Sequence, residues 1–167
     1  MPSPHPITIR AARDTDGTAL SALIAAVFAE YEGVRFVAAE FPEMGAVATH
    51  FAERGGRRLV AESGDAIVGS LGIVPTHREG VHELLKVYVP QALRGRGIGH
   101  RLLAEALAHA RGDGARAITL WSDAKFVTGH RFYLRQGFTR APGIRALHDA
   151  SDTIEFNFRL DLTGGAA

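Results

Sequence analysis

Glu83-Leu84-Leu85-Lys86-Val87-Tyr88-Val89-Pro90 leads, after Gln91-Ala92-Leu93, into Arg94-Gly95-Arg96-Gly97-Ile98-Gly99-His100-Arg101-Leu102-Leu103. The segment from Val81 to Val89 reads as a strand, which Pro90 stops. From about Ile98 to Arg111 the pattern is helical, with Leu102, Leu103, Ala106, Leu107 and Ala110 on one apolar face. The order is therefore strand, glycine turn, helix. A helix N-terminus leaves backbone N–H groups unpaired and carries a partial positive charge, an arrangement that binds phosphate. Gly95, Gly97 and Gly99 remove side chains where a phosphate has to approach the backbone, and Arg94, Arg96 and Arg101 add positive charge. A surface turn kept soluble by arginines fits the same glycines, because such a pattern is weak alone. A Walker loop is excluded, since no Gly-Lys is followed by Ser or Thr. A dinucleotide fingerprint would want a third glycine where His100 stands, although Asp123 ends the next strand, where a ribose-binding acid can lie.

Upstream, Ile7 to Ala11 reads as a short strand. Asp14 or Asp16 is placed to cap a helix through Thr18 to Glu30, with Leu20, Leu23, Ile24, Val27 and Phe28 on one face. Tyr31 to Phe41 is irregular, and a weaker helix spans about Glu43 to Arg54, ended by Gly55-Gly56. Strands follow over Arg58 to Glu62 and Ala66 to Val74, joined by the tight turn Ser63-Gly64-Asp65. Downstream, Ala117 to Trp121 is a short apolar strand, Thr128 to Gln136 a helix ending at Gly137, and Thr153 to Leu160 a last strand. The expected fold is α/β: a single-domain mixed β-sheet flanked by helices, with parallel pairing in the second half, where helices alternate with strands. Residues 1–6 are expected to be a disordered segment, 7–162 the domain and 163–167 a loose tail.

With 167 residues the chain suits one domain with a real core. Its 46% hydrophobic and 22% charged residues are ordinary for a soluble protein. The formal net charge of +1 demands neither nucleic acid nor an anionic membrane, so an anionic ligand has to be held by local charge. Having no cysteine, the chain has no disulfide, no thiolate metal site and no cysteinyl acyl-enzyme. The eight histidines show no ligand spacing, so no metal is expected. No apolar run approaches the roughly 20 residues of a membrane span. The start Met1-Pro2-Ser3-Pro4-His5-Pro6 is unlike a secretory signal, which makes the cytoplasm the expected location.

The same strand and glycine turn resemble the central motif of the GNAT superfamily of N-acetyltransferases: Gln or Arg, two residues, Gly, one residue, then Gly or Ala. Arg94, Gly97 and Gly99 fill those places. Downstream, His130-Arg131-Phe132-Tyr133-Leu134-Arg135-Gln136-Gly137-Phe138 is similar to the family's second motif, a helix carrying Phe-Tyr and ending in Gly-Phe. The resemblance covers roughly residues 58–140. It implies a GNAT-like sheet whose central parallel strands splay, acetyl-coenzyme A as the acetyl donor, and a pantetheine arm pairing with Val87, Tyr88 and Val89. It further implies that Arg94, Gly95, Arg96, Gly97, Ile98, Gly99 and His100 wrap the pyrophosphate. A homodimer is open, since members of the family are often dimers.

Acetyl transfer to an amine needs a neutral amine, a stabilised carbonyl oxygen and a proton for the departing thiolate. The resemblance implies Tyr133 as the acid; packing of Phe132 and Tyr133 in the core is the competing explanation. Glu83, before the glycine turn, stands where some family members carry a catalytic glutamate, whereas other members use water chains and a solvent-facing role fits equally. His82 belongs to the opposite face by alternation. Asp123, where the family often has asparagine, can bind the acceptor amine, fix Lys125 or, as these residues favour, cap the helix. Glu30, Tyr31, Glu32, Glu40 and Glu43 give the acceptor region an acidic wall that suits a small primary amine, and an ordinary solvated surface fits them too. The expected activity is acetyl-coenzyme A-dependent N-acetylation by direct attack. Its rivals are a non-catalytic acyl-coenzyme A sensor and an RNA-binding Arg-Gly segment; the latter is too short for that role.

Overall fold

The computed structural model describes residues 5–163. Residues 1–4 of the expected disordered segment and 164–167 of the expected tail lie outside that range, while the carbonyl of His5 accepts a hydrogen bond from Ser63 Oγ at 3.2 Å. Seven strands form one sheet: β1 (Ile7–Ala11), β2 (Arg57–Ser63), β3 (Ala66–Pro75), β4 (Val81–Tyr88), β5 (Ala117–Asp123), β6 (Thr139–Ala146) and β7 (Ile154–Asp161). They are ordered β1-β2-β3-β4-β5-β7-β6. Four helices flank them: α1 (Gly17–Phe28), α2 (Val47–Glu53), α3 (Ile98–Gly112) and α4 (Val127–Arg135). The second helix is shorter than its expected span, because Pro42–Gly45 forms a separate 3-10 turn.

The apolar periodicities sort the helices onto the two faces of the sheet. Leu102, Leu103, Ala106 and Ala110 of α3 are buried against Leu59, Ala61, Leu71, Ile73, Leu84 and Ile118. Leu20 and Leu23 of α1, with Val47 and Phe51 of α2, are buried against Val60 and Val74 on the other face. Each such leucine contributes about 1.5–3 kcal/mol through burial. Among the described residues no helix is long and apolar enough to cross a membrane.

Among the described residues only β4 and β5 pair in parallel, joined by α3. Their register stops at Leu84↔Leu120, although β4 runs on to Tyr88 and β5 to Asp123. The cause lies in β4. Ser70 faces Tyr88 and Gly72 faces Leu85, so β4 carries one extra residue against β3. Lys86 absorbs it with a φ of 57°, and Ser70 Oγ takes up the Lys86 carbonyl at 3.3 Å. Such a bulge bends its strand, and here β4 leaves β5. The splay expected of the central parallel strands is therefore present.

β6 was absent from the sequence expectation. Its residues, Thr139-Arg-Ala-Pro-Gly-Ile-Arg-Ala146, lack alternation and carry Pro-Gly in the middle. An edge strand tolerates this, and the register shift between Ala141 and Ile144 loops Pro142 and Gly143 out as a bulge.

Asp16 stands at the N-cap of α1, but neither its side chain nor that of Asp14 makes a capping hydrogen bond to the helix. Asp14 accepts hydrogen bonds from Thr49 N and Oγ1 of α2 at 2.8 and 2.7 Å. Asp16, buried, accepts both Nη groups of Arg10 at 2.8 and 3.1 Å, and Arg10 also reaches Glu62. The Arg10 hydrogen bonds hold the Asp16 carboxyl below the usual carboxylate range. A carboxyl with a depressed folded pKa stabilises above its unfolded value, near about 3.9, and loses that contribution as pH falls through the lower folded value. Asp16→Asn is expected to cost about 1–3 kcal/mol at neutral pH, a drop of several degrees in Tm. The gap between the two proteins should close below about pH 4, which thermal melts across pH check directly.

Candidate active site

Two cavities meet where β4 and β5 part. The first, of about 320 Å³, is lined by Val87, Val89 and the turn Arg94 to His100 (Arg96 excepted), and by Phe132 and Gln136 of α4. The second, of about 350 Å³, is lined by Glu83, Lys86, Phe41, Trp121, Arg145 and Glu155 among others. Val87, Tyr88, Ser122, Phe126 and Tyr133 line both. The bulge that opens the sheet therefore also joins two chambers on its opposite sides.

The first chamber carries the glycine turn. Gly97 is the N-cap of α3, with φ +77° and no side-chain cap, so the first amides of the helix point into the turn unpaired by any side chain. A Cβ at Gly95 or Gly97 would meet nothing within 4 Å, which leaves open space beside those amides. That shape and the helix dipole fit a pyrophosphate. The arginines divide differently from the expectation that all three add free charge. Arg94 Nη2 is bonded to Glu30 Oε2 at 2.7 Å and its Nε to the Val89 carbonyl at 3.0 Å, so it braces the loop. Arg101 Nη1 donates to the Ile7 carbonyl at 2.8 Å. Arg96 has no hydrogen bond among the described residues and does not line the chamber. His100 Nδ1 lies 2.9 Å from Gln136 Oε1, linking the turn to α4.

Tyr133 sits at the junction. It is 7% exposed and packs edge-on against Phe132 and Phe138. The core packing weighed for it is present, and its place in the lining of both chambers leaves the catalytic role open to a proposal. Burial pushes its phenol up, well above the ordinary tyrosine range, so it stays protonated at neutral pH.

Glu83 is half-buried and lines the second chamber, and its carboxylate makes no hydrogen bond among the described residues. His82, on the opposite face as alternation requires, lies 3.6 Å from Asp113 at the end of α3 and lines neither chamber. Lys86 pairs with the buried Glu43 at 3.4 Å and stands over the Phe41 ring at 4.3 Å. Burial lowers its pKa. Asp123 does not cap α4, whose N-cap is Phe126. Instead its Oδ1 accepts from the Lys125 amide at 2.8 Å and its Oδ2 from the Thr153 hydroxyl, closing the turn after β5. Of the expected acidic wall, Glu30 is bound to Arg94 and Glu43 to Lys86, and Glu40 alone of the four glutamates lines the second chamber. Arg145, Trp121 and Glu155 were not anticipated; two of the three belong to β6 and its partner β7, and no local pattern marks them.

Residues 21–138 match the acetyltransferase (GNAT) family. A 65-residue stretch is 37% identical to an aminoalkylphosphonate N-acetyltransferase of Salmonella typhimurium strain LT2, covering 39% of this chain and 42% of that protein. The matched stretch thus spans less than half of the relative's length. Among solved structures, a GNAT acetyltransferase of Staphylococcus aureus Mu50 superposes with a TM-score of 0.81 at 19% identity, over 95% of this chain and 100% of that one. The protein yncA of Salmonella typhimurium, solved with its cofactor acetyl-CoA, gives a TM-score of 0.72 at 20% identity, over 96% of both chains.

Proposed function

Because the chain belongs to the acetyltransferase (GNAT) family, we propose that it transfers the acetyl group of acetyl-CoA to the primary amine of a small molecule by direct attack, with no covalent enzyme intermediate. The observation that carries this is the junction at Tyr133. One chamber has an anion cradle, the other has charged groups, and they meet at two buried phenols kept protonated by burial, Tyr133 on α4 and Tyr88 on β4. The relative's aminoalkylphosphonate acceptor and the second chamber's size of about 350 Å³ support a small acceptor.

Bound acetyl-CoA supplies an acetyl group activated as a thioester. Amides at the start of α3 and the Gly95–Gly97 turn hold the pyrophosphate, and the β4 edge that β5 leaves at Val87 and Tyr88, with Val89 just beyond the strand, receives the pantetheine arm. Glu83 takes the proton that the acceptor ammonium must lose before it attacks, and Tyr133 Oη gives a proton to the departing sulfur. Every group used is present without cysteine or metal ligands from the protein. A cytoplasmic location is part of this proposal, since the reading requires acetyl-CoA as donor.

Acetyl-CoA at about a hundred times its Kd is expected to add about 2.7 kcal/mol to stability, a Tm rise of several degrees. NAD at the same concentration should add nothing. Free thiol should then appear when amines are supplied. Stabilisation by NAD alone would overturn the proposal, and stabilisation by acetyl-CoA without thiol release from any amine would favour a non-catalytic sensor.

A further inference from the structure

We propose that the acceptor is a small amine that also carries an oxyanion, a carboxylate or a phosphonate, and that Arg145 binds that oxyanion. The inference rests on the acetyl-transfer reading above and specifies its substrate class.

Arg145 reaches the second chamber from β6. Its Nε donates to Glu155 Oε1 at 2.6 Å, and its guanidinium carbon lies 4.6 Å from the centroid of Trp121. The bulge in β6 makes room for this stack: Gly143, at φ +116°, passes over the indole so closely that a Cβ there would lie 3.3 Å from the ring. One edge of the guanidinium is thus pinned and its plane is set. Its two Nη groups donate no hydrogen bond among the described residues, and the side chain is 49% exposed. A held guanidinium with a free fork is matched to an oxyanion, which it can grip with two parallel hydrogen bonds.

The other charged groups of the chamber have partners. Glu40 accepts from the Ala150 amide, Asp149 from the amides of Ser151 and Asp152, and Asp123 from the Lys125 amide. Lys86 is paired with Glu43. What remains is the Glu83 carboxylate, with no side-chain partner among the described residues, and the Nη fork of Arg145, which its ion pair with Glu155 through Nε leaves open to a further acceptor. The five lining acids against two bases draw the ammonium end inward. A plain amine would leave the fork unsatisfied, and a diamine would set a second positive charge beside it.

The test reads Trp121, the chain's only tryptophan. With coenzyme A saturating, 2-aminoethylphosphonate, β-alanine, propylamine and 1,3-diaminopropane are titrated while its fluorescence is followed. At least one of the two acids should bind saturably and at least about tenfold more tightly than propylamine or the diamine, and the better acid identifies the oxyanion. Arg145→Met keeps the apolar stem and should weaken that acid about tenfold or more, with propylamine unchanged and the loss in turnover assays appearing in KM. Arg145→Lys should recover part of the affinity. Equal binding of propylamine or the diamine, no response to either acid, or an unchanged response in Arg145→Met overturns the proposal. Stabilisation of the wild type and both variants by acetyl-CoA, together with thiol release from any amine by the wild type, shows that the acetyl-transfer reading survives such a failure; absence of both in the wild type removes both readings.

Discussion

Gly97→Glu is expected to abolish acetyl-CoA binding while leaving the domain folded. Gly97 sits at φ +77° as the N-cap of α3, and nothing lies within 4 Å of where its Cβ would be. A Cβ there meets no protein atom within 4 Å, so the main cost to the fold is the strain of a left-handed backbone, about 1–2 kcal/mol. The carboxylate, however, would stand among the helix amides that the pyrophosphate needs. Two like charges about 4 Å apart near a protein surface repel by about 4 kcal/mol, which weakens binding more than about a hundredfold. Gly97→Ala separates the two effects, because it carries the strain without bulk or charge. It should lower Tm by a few degrees and keep Kd within about tenfold. Calorimetric titration of all three proteins decides the matter, and a Gly97→Glu variant with wild-type affinity would move the cradle elsewhere.

Tyr133→Phe is expected to lower turnover by roughly ten- to a thousandfold, with cofactor affinity nearly unchanged. Phenylalanine keeps the ring and its packing against Phe132, Phe138 and Phe158, so Tm should hardly move. Only the hydroxyl is lost, and as the proposed acid it would act mainly in the transition state. The deficit should shrink with a donor whose leaving thiolate is a weaker base. Since burial raises the phenol's pKa, Tyr133 should contribute no alkaline limb near its ordinary value of about 10. Turnover within about twofold of wild type, with a verified acceptor, would leave Tyr133 a packing role alone.

The donor half of the site was legible because its parts are local. A strand, a turn and a helix N-terminus follow one another from Val81 to Arg111, and the glycines that shape the turn lie within five residues of one another, Gly95 to Gly99. The apolar stripe of α3 made that helix plain from its spacing. The charges around the turn were less legible. Arg94 looks like a phosphate ligand until Glu30, 64 residues away in sequence, is found bonded to it.

From the sequence alone came the order of strand, turn and helix, the apolar faces and the absence of cysteine chemistry, since each depends on neighbours in the chain or on composition. Only the tertiary structure decided the acceptor half. The extra residue at Lys86 bends β4 because β3 cannot follow it, and that bend joins the two chambers. β6 carries Pro142 and Gly143, which read as a turn, yet an edge position with one free side accepts them as a bulge. There Arg145 meets Trp121 across 24 residues and Glu155 across ten. Such contacts follow from strand pairing, which no period within a single segment encodes.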